Sequence, residues 1–443
     1  AVMEIFSQEL IGAIMIGVML FAIFIGFPIS FTLIFLGLVF GYWGFGKLVF
    51  YLMTLQFNMI MTESTLVAVP LFIFMGILME SAGLMERLFS AIQLMLSRTR
   101  GALFYAVMFV STIFAAATGI VGASVTILGI MAGKTMIKSG YDTRLSAGLI
   151  CAGGTLGILI PPSIMLVVMG PVLEIPVTDL FAAAIIPGIM LAVLYALYTT
   201  VRCYFDPKLG PILPKSMQPK SMGKVWVEFF LGLVPPAGLV FFALGSILFG
   251  LATPTEGAGI GAIGSLLLAL AYKKLTLKTL KNSLIKTLEI TALIMFLVAA
   301  SNFFGAVFSK LGTPSLLTEF LLNLEVNRYV VLAILMAVIF LLGWPLECVP
   351  IVLIVLPIFV PLIKELDFNL TWFAILVAVN LQTAWLSPPV ALSAYFLKGV
   401  VPEWELKDIY LGMMQFMGIQ LLGLILIIAF PQIALWLPSV MYP

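Results

Sequence analysis

Oxygen-bearing side chains sit where this apolar chain can least accommodate them. The segment Ala115–Thr126 sets Thr118, Ser124 and Thr126 among small residues, with Gly119 and Gly122 between them. Gly153–Ser163 sets Thr155 and Ser163 beside Gly153, Gly154, Gly157 and the pair Pro161-Pro162. In the second half, Gly343–Pro350 carries Trp344 and Glu347. Asn380–Pro389 carries Asn380, Gln382, Thr383 and Ser387 ahead of the pair Pro388-Pro389. Hydroxyl, amide and freed main-chain oxygens are hard ligands, suited to a desolvated alkali cation. Half-helix N-termini at the same place add partial positive charge, which suits a carboxylate. Small residues also serve plain helix packing, and one proline explains a plain kink. The glycines and second proline beside Thr155 and Ser163 exceed that need. Asn380, Gln382 and Thr383 are polar side chains at membrane depth, costly unless used.

Acidic residues at depth are scarce. Glu347 is the only one expected in either broken segment; cation ligand, proton carrier and helix cap all remain open for it. Glu256, after Pro254 at a helix start, reads as a cap on the scaffold. Glu80 and Glu86 read as solvated groups near the surface.

These segments need a frame. The chain has 443 residues, 63% hydrophobic and 9% charged, with mean hydropathy +1.22. Apolar stretches of about 20 residues recur throughout, so the fold class is an all-α polytopic membrane protein in a lipid bilayer. There is no histidine, which excludes His-based acid–base catalysis and His metal ligation. Three cysteines, Cys151, Cys203 and Cys348, give no disulfide framework. The net charge of +2 is uninformative about partners, and no nucleic-acid partner is expected. The first residues lack the basic start and cleavage site of a signal peptide, so the first apolar stretch is expected to be a true span.

The breaks repeat. Pro161 and Pro388 lie 227 positions apart (388 − 161). The same offset carries Tyr141-Asp142 onto Phe368-Asn369, Ala117 onto Trp344 and Gly122 onto Val349. Two structural repeats follow, 1–202 and 225–443, joined by a linker at 203–224. The first repeat has spans near 8–27, 29–47, 66–82, 145–172 (broken) and 178–201. An amphipathic arm (83–98) and a re-entrant hairpin (103–138) lie between its third and fourth spans. The second has spans near 225–250, 257–272, 286–309, 370–398 (broken) and 408–436, with an arm at 313–325 and a hairpin at 329–362. Five spans per repeat is odd, so the repeats must be inverted. Basic residues cluster at Arg98–Arg144, Arg202–Lys224 and Lys273–Lys286. All three clusters fall on one side of this topology, which the positive-inside rule makes cytoplasmic. Both termini are then periplasmic.

Ala115–Ser124, the turn Ser139-Gly140-Tyr141-Asp142, Gly154–Ser163 and Thr253-Pro254-Thr255-Glu256 resemble the DctM-like large membrane subunit of tripartite ATP-independent periplasmic (TRAP) transporters. The resemblance covers nearly the whole chain. It implies an elevator-type, sodium-driven importer of an organic acid in a bacterial or archaeal inner membrane, with no organic cofactor. It also implies two partners: a small four-helix (DctQ-like) membrane subunit and a periplasmic (DctP-like) solute-binding protein. Family sites map onto the tips and breaks. Substrate contacts would come from Thr118, Gly122, Ser124, Thr155, Ser163, Asn380, Gln382 and Thr383. Sodium would lie near Gly119, Ala123, Ser124, Gly157, Gly343, Glu347, Thr383 and Ser387. The first tip departs from the commoner Ser-Gly-Ser-rich form, and the second carries Trp344 and Glu347. This variant resembles the branch associated with keto acids and other bulky acids. A standalone sodium- or proton-coupled organic anion carrier would share the repeats but need no binding protein. An intramembrane enzyme would need clustered acid, His or Ser-Lys pairs at depth, and the apolar segments carry none.

Overall fold

Lipid offers no partners for backbone N–H and C=O groups, so apolar runs of this length must close their hydrogen bonds internally, as helices. The computed structural model describes residues 7–219, 221–323, 326–388 and 391–442, leaving aside the side chains of 116–118, 217, 316, 317 and 320–322. Among the described residues there are helices and connecting turns, and nine helical stretches are long and apolar enough to cross a membrane.

The first half runs α1 (Gln8–Ile25), α2 (Ile29–Phe45), α3 (Leu48–Thr62), α4 (Ala68–Ser81) and an arm, α5 (Leu84–Met95). Its hairpin is α6 (Ala102–Thr118) and α7 (Val121–Leu128), the latter passing through a π-turn at Gly129–Gly133 into α8 (Lys134–Lys138). Next, α9 (Thr143–Thr155) stops at a 3-10 turn, Leu156–Ile158, before α10 (Ile164–Leu173) and α11 (Val177–Phe205). The second half runs α12 (Met222–Leu248), α13 (Pro254–Ala271), α14 (Leu277–Lys310) and an arm, α15 (Thr313–Leu322). Its hairpin is α16 (Arg328–Leu342), the short α17 (Cys348–Pro350), a π-turn at Ile351–Val355 and α18 (Leu356–Glu365). Then come α19 (Leu370–Leu386), α20 (Leu392–Val400), α21 (Leu406–Ala429) and α22 (Gln432–Met441). The order of helices, arm, hairpin and interrupted helix occurs twice, and each hairpin has a π-turn in its returning limb.

Local chemistry sets the boundaries. Asp142 caps α9 by accepting the Leu145 N–H at 2.7 Å, and Asn369 caps α19 by accepting the Trp372 N–H at 3.0 Å. Thr253 and Glu256 form a reciprocal capping box at the start of α13, as the sequence suggests. Tyr141 pins the base of the first hairpin: its hydroxyl accepts the Leu103 N–H, and its ring meets Phe104 at 4.8 Å. Burial there pushes the Tyr141 phenol up to about 12.

Several elements differ from the sequence reading. Residues 48–62 form a further helix, α3, which packs on α2 and α14 but buries only Val49. The span expected at 286–309 begins at Leu277, because the Thr276 side chain caps it by accepting the Thr279 N–H. The last span, expected over 408–436, ends at Ala429, and α22 follows Pro431. The second hairpin reaches Glu365. The arm expected at 313–325 is helical over Thr313–Leu322, and residues 324–325 lie outside the described residues. The second broken helix is interrupted where the sequence sets Pro388-Pro389, after a helix that holds the polar residues. Asn380, Gln382 and Thr383 sit inside regular α19, and the interruption comes after Leu386.

The ends of the helices gather on two faces. At one, Gly101 donates to the Gly210 carbonyl and Asp142 to the Leu209 carbonyl, both at 2.9 Å. Arg87 pairs with Glu228 at 2.6 Å and Arg144 with Asp408 at 2.8 Å on the same face. At the other, Thr313 bonds the Glu9 carbonyl, Thr255 the Ser64 carbonyl and Tyr442 the Leu248 carbonyl, at 2.7 to 3.0 Å. The basic linker therefore lies with the starts of α6, α9, α12 and α21 on the first face.

Candidate functional site

The first tip rests on the first break, backbone against backbone. Gly119 takes the left-handed conformation (φ 58°) that turns α6 into α7. A Cβ on Gly157 would lie 3.3 Å from the Ala115 carbonyl oxygen and 3.6 Å from Gly119 Cα. One on Gly154 would lie 2.3 Å from the Val125 side chain. The glycines of both segments are thus what allows them to touch. Across the break, the Ser163 hydroxyl donates to the Ile158 carbonyl. The Thr155 hydroxyl donates to the Ala152 carbonyl at 2.8 Å and accepts from Gln420 Nε2 at 3.1 Å. Ser124 is buried on α7. The Thr118 side chain lies outside the described residues.

The second tip meets the second interrupted helix through side chains. A Cβ on Gly343 would lie 2.5 Å from Ala384 Cβ. Trp344 Nε1 donates to Ser387 Oγ at 2.8 Å, and Trp385 Nε1 donates to Cys348 Sγ at 3.0 Å. Ser393 Oγ bridges the interruption by donating to the Trp385 carbonyl at 2.6 Å. Asn380 Nδ2 ties α19 to α16 through the Met336 carbonyl at 2.7 Å, and Thr383 donates to the Asn380 carbonyl. Gln382 is fully buried, yet neither amide atom has a partner among the described residues. A buried amide left unpaired is costly to the fold.

Glu347 lies in the second tip, where the sequence sets it. It occupies the N-cap position of α17, but its side chain makes no capping bond. Its side chain opens onto a cavity of about 180 Å³ with Trp344, Trp385, Leu392 and Ile29.

The halves interlock: α7 packs on α20, while α10 touches α17 and α19. A Cβ on Gly122 would lie 2.8 Å from the Phe396 ring, so the glycine lets α20 close on the first tip. Beside this contact is a cavity of about 430 Å³. Its walls are the first tip, α4, α14 and Phe396. Of the candidate residues, Gly122 and Ala123 line it. Ser124, Thr155, Ser163, Asn380, Gln382, Thr383 and Ser387 are buried. Glu80, expected to be solvated, is half-buried in the cavity wall, because α4 is covered by α13, α14 and α6. Glu86 is exposed, as expected. Sequence reasoning missed Lys286 and Phe396 in the cavity, and Tyr195 and Gln420 behind Thr155. A single polar or aromatic residue in an apolar helix carries no local pattern.

The sequence model of the family described as "Tripartite ATP-independent periplasmic transporter, DctM component" matches residues 16–433. The chain belongs to this family. It is 30% identical over 378 residues to the C4-dicarboxylate TRAP transporter large permease protein DctM of Pseudomonas aeruginosa, covering 85% of this chain and 86% of that one. It is 28% identical over 438 residues to the sialic acid TRAP transporter large permease protein SiaM of Vibrio cholerae, covering 94% and 96% of the two chains. The YdaH transporter of Alcanivorax borkumensis has a similar fold, with TM-score 0.63 over 90% of each chain at 17% identity. As a DctM-family component, the chain is a multi-pass inner-membrane permease of a three-part secondary transport system. Its relatives are named as permeases rather than enzymes.

Proposed function

We propose that the chain imports a small organic acid, with sodium as coupling ion, by an elevator movement. The two hairpins and two interrupted helices travel as one block. The helices α1–α4 and α12–α14 form the scaffold, and the arms α5 and α15 connect the two. The observation that carries this reading is the pairing of each hairpin tip with an interrupted helix, through Gly157 against Gly119 in the first half and through Gly343 against Ala384 and the Trp344–Ser387 bond in the second. Broken helices release main-chain oxygens, and irregular backbone at membrane depth is tolerated where it lines a binding site.

The recurring order of elements supports two inverted repeats, and the two faces described above support their opposed orientation. The basic face would be cytoplasmic. The names of the relatives, which specify C4-dicarboxylate and sialic acid, support an organic acid as cargo. Sodium would bind near Gly119, Ala123, Ser124 and Gly157 in the first half, and near Gly343, Glu347, Thr383 and Ser387 in the second. Hydroxyls and freed carbonyls are the ligands such a hard cation takes. Gln382, with both amide atoms unspent, suits a carboxylate or an ion. Ion binding would order the tips, complete the substrate site and release the block to slide. A periplasmic solute-binding protein would deliver the acid, and a small four-helix membrane subunit would brace the scaffold.

The test is uptake of labelled organic acids into proteoliposomes holding the chain and its small membrane partner. Uptake is expected to need both an inward sodium gradient and the cognate binding protein. Ser124→Leu and Thr383→Leu are each expected to abolish it while leaving membrane insertion intact. Normal sodium-dependent uptake in both variants would remove the site assignment. Uptake without the binding protein would identify a standalone carrier.

A further inference from the structure

Two polar side chains stand behind the first break, outside the tips and the interrupted helices. Tyr195 of α11 and Gln420 of α21 are both fully buried. Gln420 Nε2 donates at 3.1 Å to the hydroxyl of Thr155, the last residue of α9. The Tyr195 hydroxyl lies beside both groups, near enough to feel them but outside hydrogen-bonding geometry. Packing closes the place from either side along α21. One turn before Gln420, Phe416 meets the Tyr195 ring edge-on at 5.7 Å. One turn after it, a Cβ on Gly423 would lie 2.5 Å from the Leu191 side chain. A methionine and a phenylalanine would fill the same volume with no polar group to bury, so packing alone gives no reason for the amide and the hydroxyl. Thr155, in turn, has a short lever on the first tip. Two residues on, Gly157 stands against Gly119 and the Ala115 carbonyl. The turn between is tight, with the Leu159 and Ile160 N–H groups both donating to the Leu156 carbonyl. The Thr155 hydroxyl spends its proton on Ala152 within α9, and the bond that ties it to another helix comes from Gln420.

We propose that Gln420 is a positioning residue for sodium: through Thr155 it holds the first break in the shape that receives the ion, and Tyr195 confines its amide to one orientation. The inference rests on the sodium reading above and extends it to a residue outside the tips and breaks. Gln420 touches no ion. Its bond to Thr155 exists before the ion arrives, so the turn that carries Gly157 is already ordered when the ion binds. Without that bond the ion must order the turn itself, and its affinity falls.

The test is the unfolding temperature of the purified full chain in detergent, titrated with sodium chloride against choline chloride at constant ionic strength. An ion bound by the folded state raises that temperature, and the titration gives the half-saturating sodium concentration. Gln420→Met is expected to raise this concentration about fivefold, as one lost buried hydrogen bond does. Thr155→Val removes the same bond from its other side and should raise it at least as far. The double variant should go no further than Thr155→Val alone, because Gln420 acts through Thr155. Gln415→Met is the structural control: it breaks the bonds that Gln415 accepts from Tyr198 and Arg202, between the same two helices. It should lower the unfolding temperature without sodium and leave the half-saturating concentration where it was. An unchanged half-saturating concentration in Gln420→Met, or a double variant whose shift is the product of the two single shifts, overturns the positioning role while leaving sodium coupling standing. An unfolding temperature of the unaltered chain that is indifferent to sodium overturns the sodium reading, and this inference with it.

Discussion

Gly148 and Gly412 show how little room single residues have here. A Cβ on Gly148 would lie 2.4 Å from the Gly412 carbonyl oxygen, and one on Gly412 would lie 2.0 Å from that of Arg144. In each case a backbone, not a flexible side chain, stands in the way. An added methyl must therefore push α9 and α21 apart, at about 1–3 kcal/mol. Gly148→Ala and Gly412→Ala are expected to lower the unfolding temperature in detergent. Gly418→Ala, also on α21 but with nothing within 4 Å, should not. Equal unfolding temperatures for all three would refute this packing. Residue types at the breaks were legible in the sequence, since hydroxyls and glycines between prolines have no ordinary role in a span. Their partners were not. Thr155 is held by Gln420, 265 positions away, and no local pattern announces a contact of that kind.

Elements were legible where a local signal sets their ends. Thr253-Pro254-Thr255-Glu256 spells a capping box and forms one. Thr253→Ala is expected to cost about 1 kcal/mol, measured by thermal unfolding, and to leave uptake unchanged. The arm α5 is a different case. Its Arg87–Glu228 pair is short, at 2.6 Å, but the side chains are 29% and 50% exposed. A double-mutant cycle on that pair should return no more than about 1 kcal/mol, because solvent screens it. Elements were misread where hydropathy was followed past a stronger cue. Thr276 starts α14 ahead of its apolar run, and Pro431 ends α21 within one. The two breaks differ for a compositional reason. Gly153, Gly154 and Gly157 loosen the first helix early, whereas no Gly or Pro stands between Leu370 and Leu386. The second helix therefore stays regular through Asn380, Gln382 and Thr383.

At the scale of the whole molecule, the recurrence of breaks and the gathering of basic segments were both visible in the sequence, because spacing and charge survive without sequence identity. The cavity was not, since α4, α7, α14 and α20 meet only in the folded chain. It divides the segments read as moving from those read as fixed. Ile73 lines it from α4 and Ala123 from the first tip, while Phe396 belongs to the same block as Ala123. The most direct test of block movement is a cross-link across that boundary. Cysteines would replace Ile73 and Ala123 in a chain whose Cys151, Cys203 and Cys348 are changed to alanine, joined by a cleavable bifunctional maleimide. Sodium-driven uptake should stop when the link forms and return when it is cleaved. The same link between Ala123 and Phe396 should leave uptake intact. Full uptake with Ile73 and Ala123 joined would mean that the hairpins do not travel against the scaffold.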